Sequence, residues 1–244
     1  MSANILHIQE CDSTNNYLKQ LLTETSLEEG TIVSADFQSA GKGQRGNGWE
    51  SEIAKNLLFS IVLYPDMIKA NEQFILSQVI SLAVAKTLSD YTGNITIKWP
   101  NDIYWKEKKI CGILLENTLN GDSIKESVIG IGINLNQDSF KSNAPNPVSL
   151  KQITGNKYNL DEILSSVKEN ILYLYDNLKK GDYSTITSLY KNTLFRKDGY
   201  HLYNDGRNNF FARIKDIELT GTLVLETKEG QERKFAFKEI KFII

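Results

Sequence analysis

Gln38-Ser39-Ala40-Gly41-Lys42-Gly43-Gln44-Arg45-Gly46-Asn47-Gly48-Trp49 is the stretch on which the fold turns. It carries four of the chain's 16 glycines within eight residues, which invites a phosphate-loop reading. The segment fits G-x-G-x-x-G literally. A dinucleotide fold, however, needs a helix directly after the glycines, so that the pyrophosphate meets a helix N-terminus. Asn47 to Ile53 has no helical apolar pattern, and a strand candidate follows it. The Walker loop fails as well, because no Gly-Lys-Ser/Thr occurs. What remains is a strand-to-strand loop that can wrap a ligand with bare backbone N–H groups, two cations and one indole. A doubly wound sheet is excluded on this reading, and an α+β fold is expected.

Working outward, Asp12-Ser13-Thr14 offers a side-chain oxygen to open a helix, and Tyr17, Leu18, Leu21 and Leu22 give it an apolar stripe. Thr31 to Asp36 and Asn56 to Leu63 read as the strands on either side of the glycine loop. Glu72 to Tyr91 is apolar around so much of its circumference that it must be buried against a sheet. Ile95 to Trp99, Lys109 to Asn117 and Ser127 to Leu135 are further strands, and Asn159 to Lys180 is a second long helix. After about residue 195 the texture changes. Tyr200 to Tyr203, Phe210 to Ile217, Thr222 to Glu226, Arg233 to Phe237 and Lys241 to Ile244 are short strands between glycine-bearing turns. They predict a small β-barrel, residues 191–244, appended to an α+β domain of residues 1–190.

Composition narrows the function. The 244 residues hold 28 Lys and Arg against 30 Asp and Glu, so no global field draws nucleic acid or anionic membrane. Cys11, Cys111, His7 and His201 are too few for a disulfide framework or a zinc site, and no role is assigned to His7, His201 or Cys11. Met1 to Glu10 lacks a secretory pattern. Leu57 to Tyr64, the most apolar run, falls far short of the ~20 residues of a membrane span. A cytoplasmic protein with no nucleic-acid or membrane partner is expected.

Three more clusters join the glycine loop. Lys98-Trp99-Pro100-Asn101-Asp102 puts two polar side chains at a strand end, where ligands gather. Lys109-Ile110-Cys111-Gly112-Ile113-Leu114 begins a strongly apolar strand with a lysine. Strict alternation sets Lys109, Cys111 and Ile113 on one face and Gly112 on the other. Gly130-Ile131-Gly132-Ile133-Asn134 leaves one strand face without side chains, ending in Asn134, so that a flat ligand or a helix can approach the backbone. Singly, these could be a surface loop, a turn, a solvated hairpin tip and a helix-packing face.

Together they are specific. Ser13-Thr14-Asn15, Gln38-x-Ala-Gly-Lys-Gly, Lys98-Trp-Pro-Asn-Asp, Lys109-x-x-Gly-Ile-Leu and Gly130-x-Gly-Ile-Asn134 resemble the biotin–protein ligases, in that family's order and spacing over residues 13 to about 136. The resemblance implies a mixed-sheet catalytic domain of the class II synthetase-like, biotin–lipoate ligase fold, followed by an SH3-like barrel. It implies that biotin and ATP, with Mg²⁺, form biotinyl-5′-adenylate, and that biotin then passes to a lysine of a biotin carboxyl carrier domain.

On the same basis Lys109 stands between the biotin carboxylate and the α-phosphate, with Arg45 as a second catalytic cation. Ser13, Thr14, Asn15, Gln38, Gly41, Lys42, Lys109, Gly112 and Gly130 bind biotin. Lys42, Gln44, Arg45, Trp49, Asn101, Asp102 and Asn134 hold the nucleotide, with Asp102 as the candidate ligand of Mg²⁺. The family reads Gly-Arg-Gly-Arg in its loop, where this chain has Gly41-Lys42-Gly43-Gln44 and then Arg45. Arg45 is expected to supply the missing charge by a one-residue shift, which the glycines permit. The loop is costly to order and is expected to close over the adenylate. With motifs beginning at Ser13, an N-terminal DNA-binding module and a repressor role are not expected, and a monomer or weak homodimer is. The competing readings are a lipoate–protein ligase, which shares the fold, and a non-catalytic biotin or nucleotide sensor.

Overall fold

The computed structural model describes residues 4–43, 48–141 and 146–244. The elements, in order, are β1 (Ile5–Cys11), α1 (Thr14–Glu24), β2 (Ile32–Gln38), β3 (Leu57–Leu63), α2 (Phe74–Ser89), β4 (Ile95–Lys98), β5 (Asp102–Trp105), β6 (Lys108–Asn120) and β7 (Ser123–Ile133). Then come α3 (Leu150–Thr154), α4 (Leu160–Lys179), α5 (Tyr183–Asn192), and β8 (His201–Asn204), β9 (Asn209–Ile217), β10 (Leu223–Thr227), β11 (Glu232–Phe235) and β12 (Lys241–Phe242). The sequence reading had not anticipated β1, β5, α3 or α5. Of these, β1 is a mostly exposed edge strand and β5 only four residues long, so neither carries a clear alternation.

The first seven strands form one sheet, ordered β1-β2-β3-β7-β6-β5-β4. Only β1 and β2 run parallel, joined through α1, and every other pair is antiparallel. Alternation along β3 sets the two layers. Leu57, Phe59, Ile61 and Leu63 belong to the large core shared with α2 and α4. Val62 faces the other way and packs with Leu18 of α1, Val33 and Val128. Thirteen of the sixteen residues of α2 are buried, as its all-round apolar sequence demands. The functional clusters therefore have to lie on the α1 face, the one not filled by α2.

The last five strands form a second, antiparallel sheet, ordered β11-β10-β9-β8-β12. Its docking on the first centres on Trp99. Trp99, almost wholly buried, donates its Nε1–H to the Gly221 carbonyl at 2.9 Å and packs edge-on against Phe237. Gly221 has φ +89°, and an added Cβ would lie 2.7 Å from the Phe74 ring of α2, so no other residue fits that turn. No described helix is long and apolar enough to cross a membrane.

Candidate active site

Three glycines make a bare patch on the α1 face. Gly112 of β6 stands directly opposite Gly132 of β7, and Gly130 lies between Ser60 of β3 and Leu114 of β6. The patch is covered by two side chains. The Trp49 indole lies over Gly112 and Gly132, where an added Cβ would come within 2.7 and 2.5 Å of the ring. Asn15 covers Gly130, with Oδ1 only 2.5 Å from where a Cβ would be. Trp49 reaches the strip because the glycine loop folds back: its N–H donates to the Gly41 carbonyl at 2.9 Å, and Lys42 pairs with Gly48. Gly41 has no Cβ to collide with the Trp49 carbonyl, 2.8 Å away. The indole Nε1–H is buried with no partner among the described residues, an arrangement that a ligand with an acceptor would relieve.

At one end of the strip, α1 begins. Ser13 is the N-cap residue, but its side chain caps nothing. The expected cap comes instead from another strand: Gln38 Oε1 accepts the Thr14 N–H at 2.7 Å, with Thr14 Oγ1 3.1 Å away. Asp12 binds the Ser13 N–H and the Asn16 amide, and the Asn16 bond is the chief cause that holds its carboxyl below the usual range. Lys42 donates to Asn16 Oδ1 at 2.8 Å. Ser13, Thr14 and Asn15 are all almost completely buried.

Lys109 stands at the other end. Its Nζ is 2.8 Å from Asp102 Oδ1 and 5.7 Å from the centre of the Trp49 indole. The alternation expected for β6 is corrected here. Ile103 pairs with Cys111 but Tyr104 pairs with Lys109, so Ile110 is an extra residue, a β-bulge. The bulge turns Lys109 to the same side as Gly112, whose added Cβ would be 3.3 Å from Lys109 Cε. Asp102 opposes Lys98 across the β4–β5 hairpin. Asn101, in the turn between these strands, is buried and donates to the Ile113 carbonyl at 2.6 Å. Lys98 has its Nζ 5.2 Å from the ring centres of both Tyr104 and Phe242. Burial lowers its pKa, partly offset by Asp102, and Lys109 and Arg196 push in the same direction as burial.

These groups share one cleft of about 530 Å³, within the range of small-ligand sites. It brings together Ser13, Thr14, Asn15, Gln38, Lys42, Trp49, Asn101, Asp102, Lys109, Gly112 and Gly130 of the expected residues. Gly41 acts from behind, as backbone clearance for Trp49. Asn134 does not line the cleft: it is buried past the end of β7, with Oδ1 unpartnered among the described residues. Gln44 and Arg45, and with them the expected one-residue shift, lie outside the described residues. Sequence reasoning missed the far wall, where the second sheet supplies Phe237, Lys238, Ile240, Lys241 and Phe242, and it gave Lys98 no role. Lys98 had a signal, a lysine inside an apolar strand. The second-sheet residues had none, because their place depends on docking through Trp99. Among the described residues no three His, Cys, Asp or Glu side chains gather as a metal site.

A family model described as the biotin/lipoate A/B protein ligase family matches residues 8–134. The biotin--[acetyl-CoA-carboxylase] ligase of Paracoccus denitrificans is 33% identical over 230 residues, covering 91% of this chain and 93% of its own. The bifunctional ligase/repressor BirA of Bacillus subtilis (strain 168) is 28% identical over 97% of this chain and 73% of its own. Among solved structures, the biotin protein ligase from Aquifex aeolicus in complex with biotin and ATP is similar, with a TM-score of 0.79 and 27% identity over 98% of this chain and 97% of that one. With the bare strip, the lysine at its end and relatives matching through both sheets, the chain belongs to the biotin/lipoate A/B protein ligase family, as a biotin–protein ligase.

Proposed function

We propose that this enzyme joins the carboxylate of biotin to the α-phosphate of ATP, releasing pyrophosphate, and then passes biotin from the adenylate to a lysine of a biotin carboxyl carrier domain. In the first step a carboxylate oxygen attacks the α-phosphorus and the bond to the β-phosphate oxygen breaks. In the second, the ε-amine attacks the acyl carbon and AMP leaves. Both reactants of the first step are anions, so the protein's task is to position them and offset their charge.

The observation that carries the reading is Lys109, turned by the β6 bulge to the end of the glycine strip and held at 2.8 Å by Asp102. Lying against Gly112, its ammonium is suited to the carboxylate and α-phosphate as they meet. Lys98, a desolvated cation in the same cleft, adds to the positive field. Thr14, Gln38 and Ser13 offer donors and acceptors in a dry pocket suited to a cyclic urea. Gly112, Gly130 and Gly132 give room for ring and tail. A ligand on the strip displaces the Trp49 indole, which has no Nε1–H bond among the described residues to lose. The freed ring can then stack on adenine, a contact worth about 1–3 kcal/mol by analogy with base stacking. Lys42 and Arg45 are assigned to phosphates, and Asn101 and Asp102 to the nucleotide. Magnesium enters with the triphosphate as part of the substrate, and Asp102 offers it one protein oxygen. Residues 1–190 form the catalytic unit in this reading and 191–244 the small barrel.

Transfer is tested with the purified chain, ATP and a biotin carboxyl carrier domain, followed by intact mass. The carrier gains one biotinyl group, and a carrier variant with its target Lys replaced by Arg gains none. Acylation of the carrier by lipoate but not by biotin would contradict the proposal.

A further inference from the structure

A buried hydrogen-bond chain behind the cleft ends on a carboxylate outside it. Glu116 of β6 accepts from Asn15 Nδ2 at 2.7 Å through Oε2 and pairs with Lys19 at 2.6 Å through Oε1. Ser60 of β3, fully buried, has its Oγ 2.6 Å from Asn15 Oδ1 and 2.7 Å from Thr14 Oγ1. Thr14 and Gln38 meet next, and they line the cleft, whereas Glu116 and Ser60 do not.

The order of the protons in this chain follows from its ionised end and from the lengths of its contacts. Burial pushes the Glu116 carboxyl up, but the bonds from Lys19 and Asn15 outweigh it and hold the pKa below the ordinary glutamate value. The ionised group can only accept. Asn15 must therefore turn its NH₂ to Glu116 and its carbonyl oxygen to Ser60. That oxygen also only accepts, so the single hydroxyl proton of Ser60 is committed to it. The 2.7 Å contact between Ser60 and Thr14 and the 3.1 Å contact of Thr14 Oγ1 with Gln38 Oε1 then compete for the single Thr14 proton, and the shorter one takes it, so that it points inward. Thr14 Oγ1 is left to face the cleft as an acceptor. Gln38, whose oxygen is taken by the Thr14 N–H, faces the cleft with its NH₂ as a donor.

We infer that Glu116 and Ser60 are positioning residues that set the donor–acceptor polarity of the biotin pocket, so that one ring bearing both N–H and C=O groups is recognised and a ring lacking them is not. This inference rests on the ligase reading above. An unpaired buried donor or acceptor costs more than a hydrogen bond gains, so a wrongly turned chain discriminates against the urea ring. Lys19 supports the ionisation of Glu116 from outside, but a carboxyl at neutral pH stays ionised without it, so the proton order survives its loss.

The test is pyrophosphate release by the full chain, titrated separately in biotin and in ATP. Glu116→Met, which removes the acceptor, and Ser60→Ala, which breaks the relay from a different strand, each raise KM for biotin about tenfold, the scale of one lost buried hydrogen bond. KM for ATP and kcat stay unchanged. Glu116→Gln keeps one acceptor oxygen and recovers part of the loss, while Lys19→Met keeps the wild-type KM for biotin. An unchanged KM for biotin in both Glu116→Met and Ser60→Ala overturns the inference. So does an equal rise in KM for ATP, or a Lys19→Met variant as impaired as Glu116→Met. If the wild-type chain releases no pyrophosphate with biotin, the ligase reading fails and the inference with it. An active wild type with insensitive variants removes the inference alone.

Discussion

Lys109 and Asp102 are bonded at 2.8 Å, yet both side chains remain about a quarter exposed, so the pair contributes little to stability and its charge is available to a ligand. Lys109→Met should lower kcat for adenylation by about 10²–10³-fold, the cost of losing one preorganised charge at the reacting centre. The melting temperature should barely move, and a large drop in it would recast Lys109 as structural. Glu116 is the other decisive residue, and the charged groups acting on it are Lys19 and Lys42. Its folded pKa lies below the unfolded one, so its contribution is complete above the ordinary glutamate range and fades as pH falls through the folded value. Binding of the uncharged alcohol analogue of biotin, which has no titrating carboxyl, should weaken over that same acidic window. In Glu116→Met the pH dependence should vanish, and its persistence would assign the titration to another group. That Ser13, Gln38, Lys109 and the strip glycines belong to one cleft was legible through the resemblance of their motifs to those of the ligases, not from any one cluster alone. Glu116 and Ser60 were not legible: each looks ordinary in its strand, and only pairing across β3, β7 and β6 brings them to Asn15.

Among the elements, β6 and β7 carry the site, and two irregularities decide how. The extra residue at Ile110 reverses the side on which Lys109 emerges, so simple alternation assigned it to the wrong face. Bulges leave no mark in the apolar pattern. The glycine pairing, by contrast, was half legible: Gly130 and Gly132 share a face by period alone, while the match of Gly112 to Gly132 needed the register. Gly130→Ala puts a methyl 2.5 Å from Asn15 Oδ1 and would push that side chain out of its bonds to Glu116 and Ser60. We expect a destabilisation of about 1–3 kcal/mol from overpacking, read by denaturant unfolding, together with a loss of biotin affinity. Unchanged affinity would mean that Asn15 can give way without disturbing the pocket. The start of α1 teaches the same point. The expected N-cap signal was present at Asp12-Ser13-Thr14, but the cap itself is Gln38, supplied from β2.

At the scale of the molecule, the two sheets close one cleft between them, and the texture change near residue 195 announced the second sheet without saying where it docks. Docking runs through Trp99, to which the sequence reading of the Lys98-Trp99-Pro100-Asn101-Asp102 motif gave no role of its own. Trp99→Phe removes the bond to the Gly221 carbonyl at a buried site, at a cost of about 1–3 kcal/mol. It should also raise KM for ATP, because Phe237, Lys238 and Lys241 form the wall that Trp99 anchors. A stability loss with both substrates bound normally would separate docking from the site. The central claim is the adenylation chemistry of this shared cleft, and pyrophosphate release by the purified chain without any carrier tests it most directly. The account predicts a biotin-dependent burst of about one pyrophosphate per chain, since the adenylate is retained, and none with ATP alone. Release that is absent with biotin, or equal without it, would contradict the account.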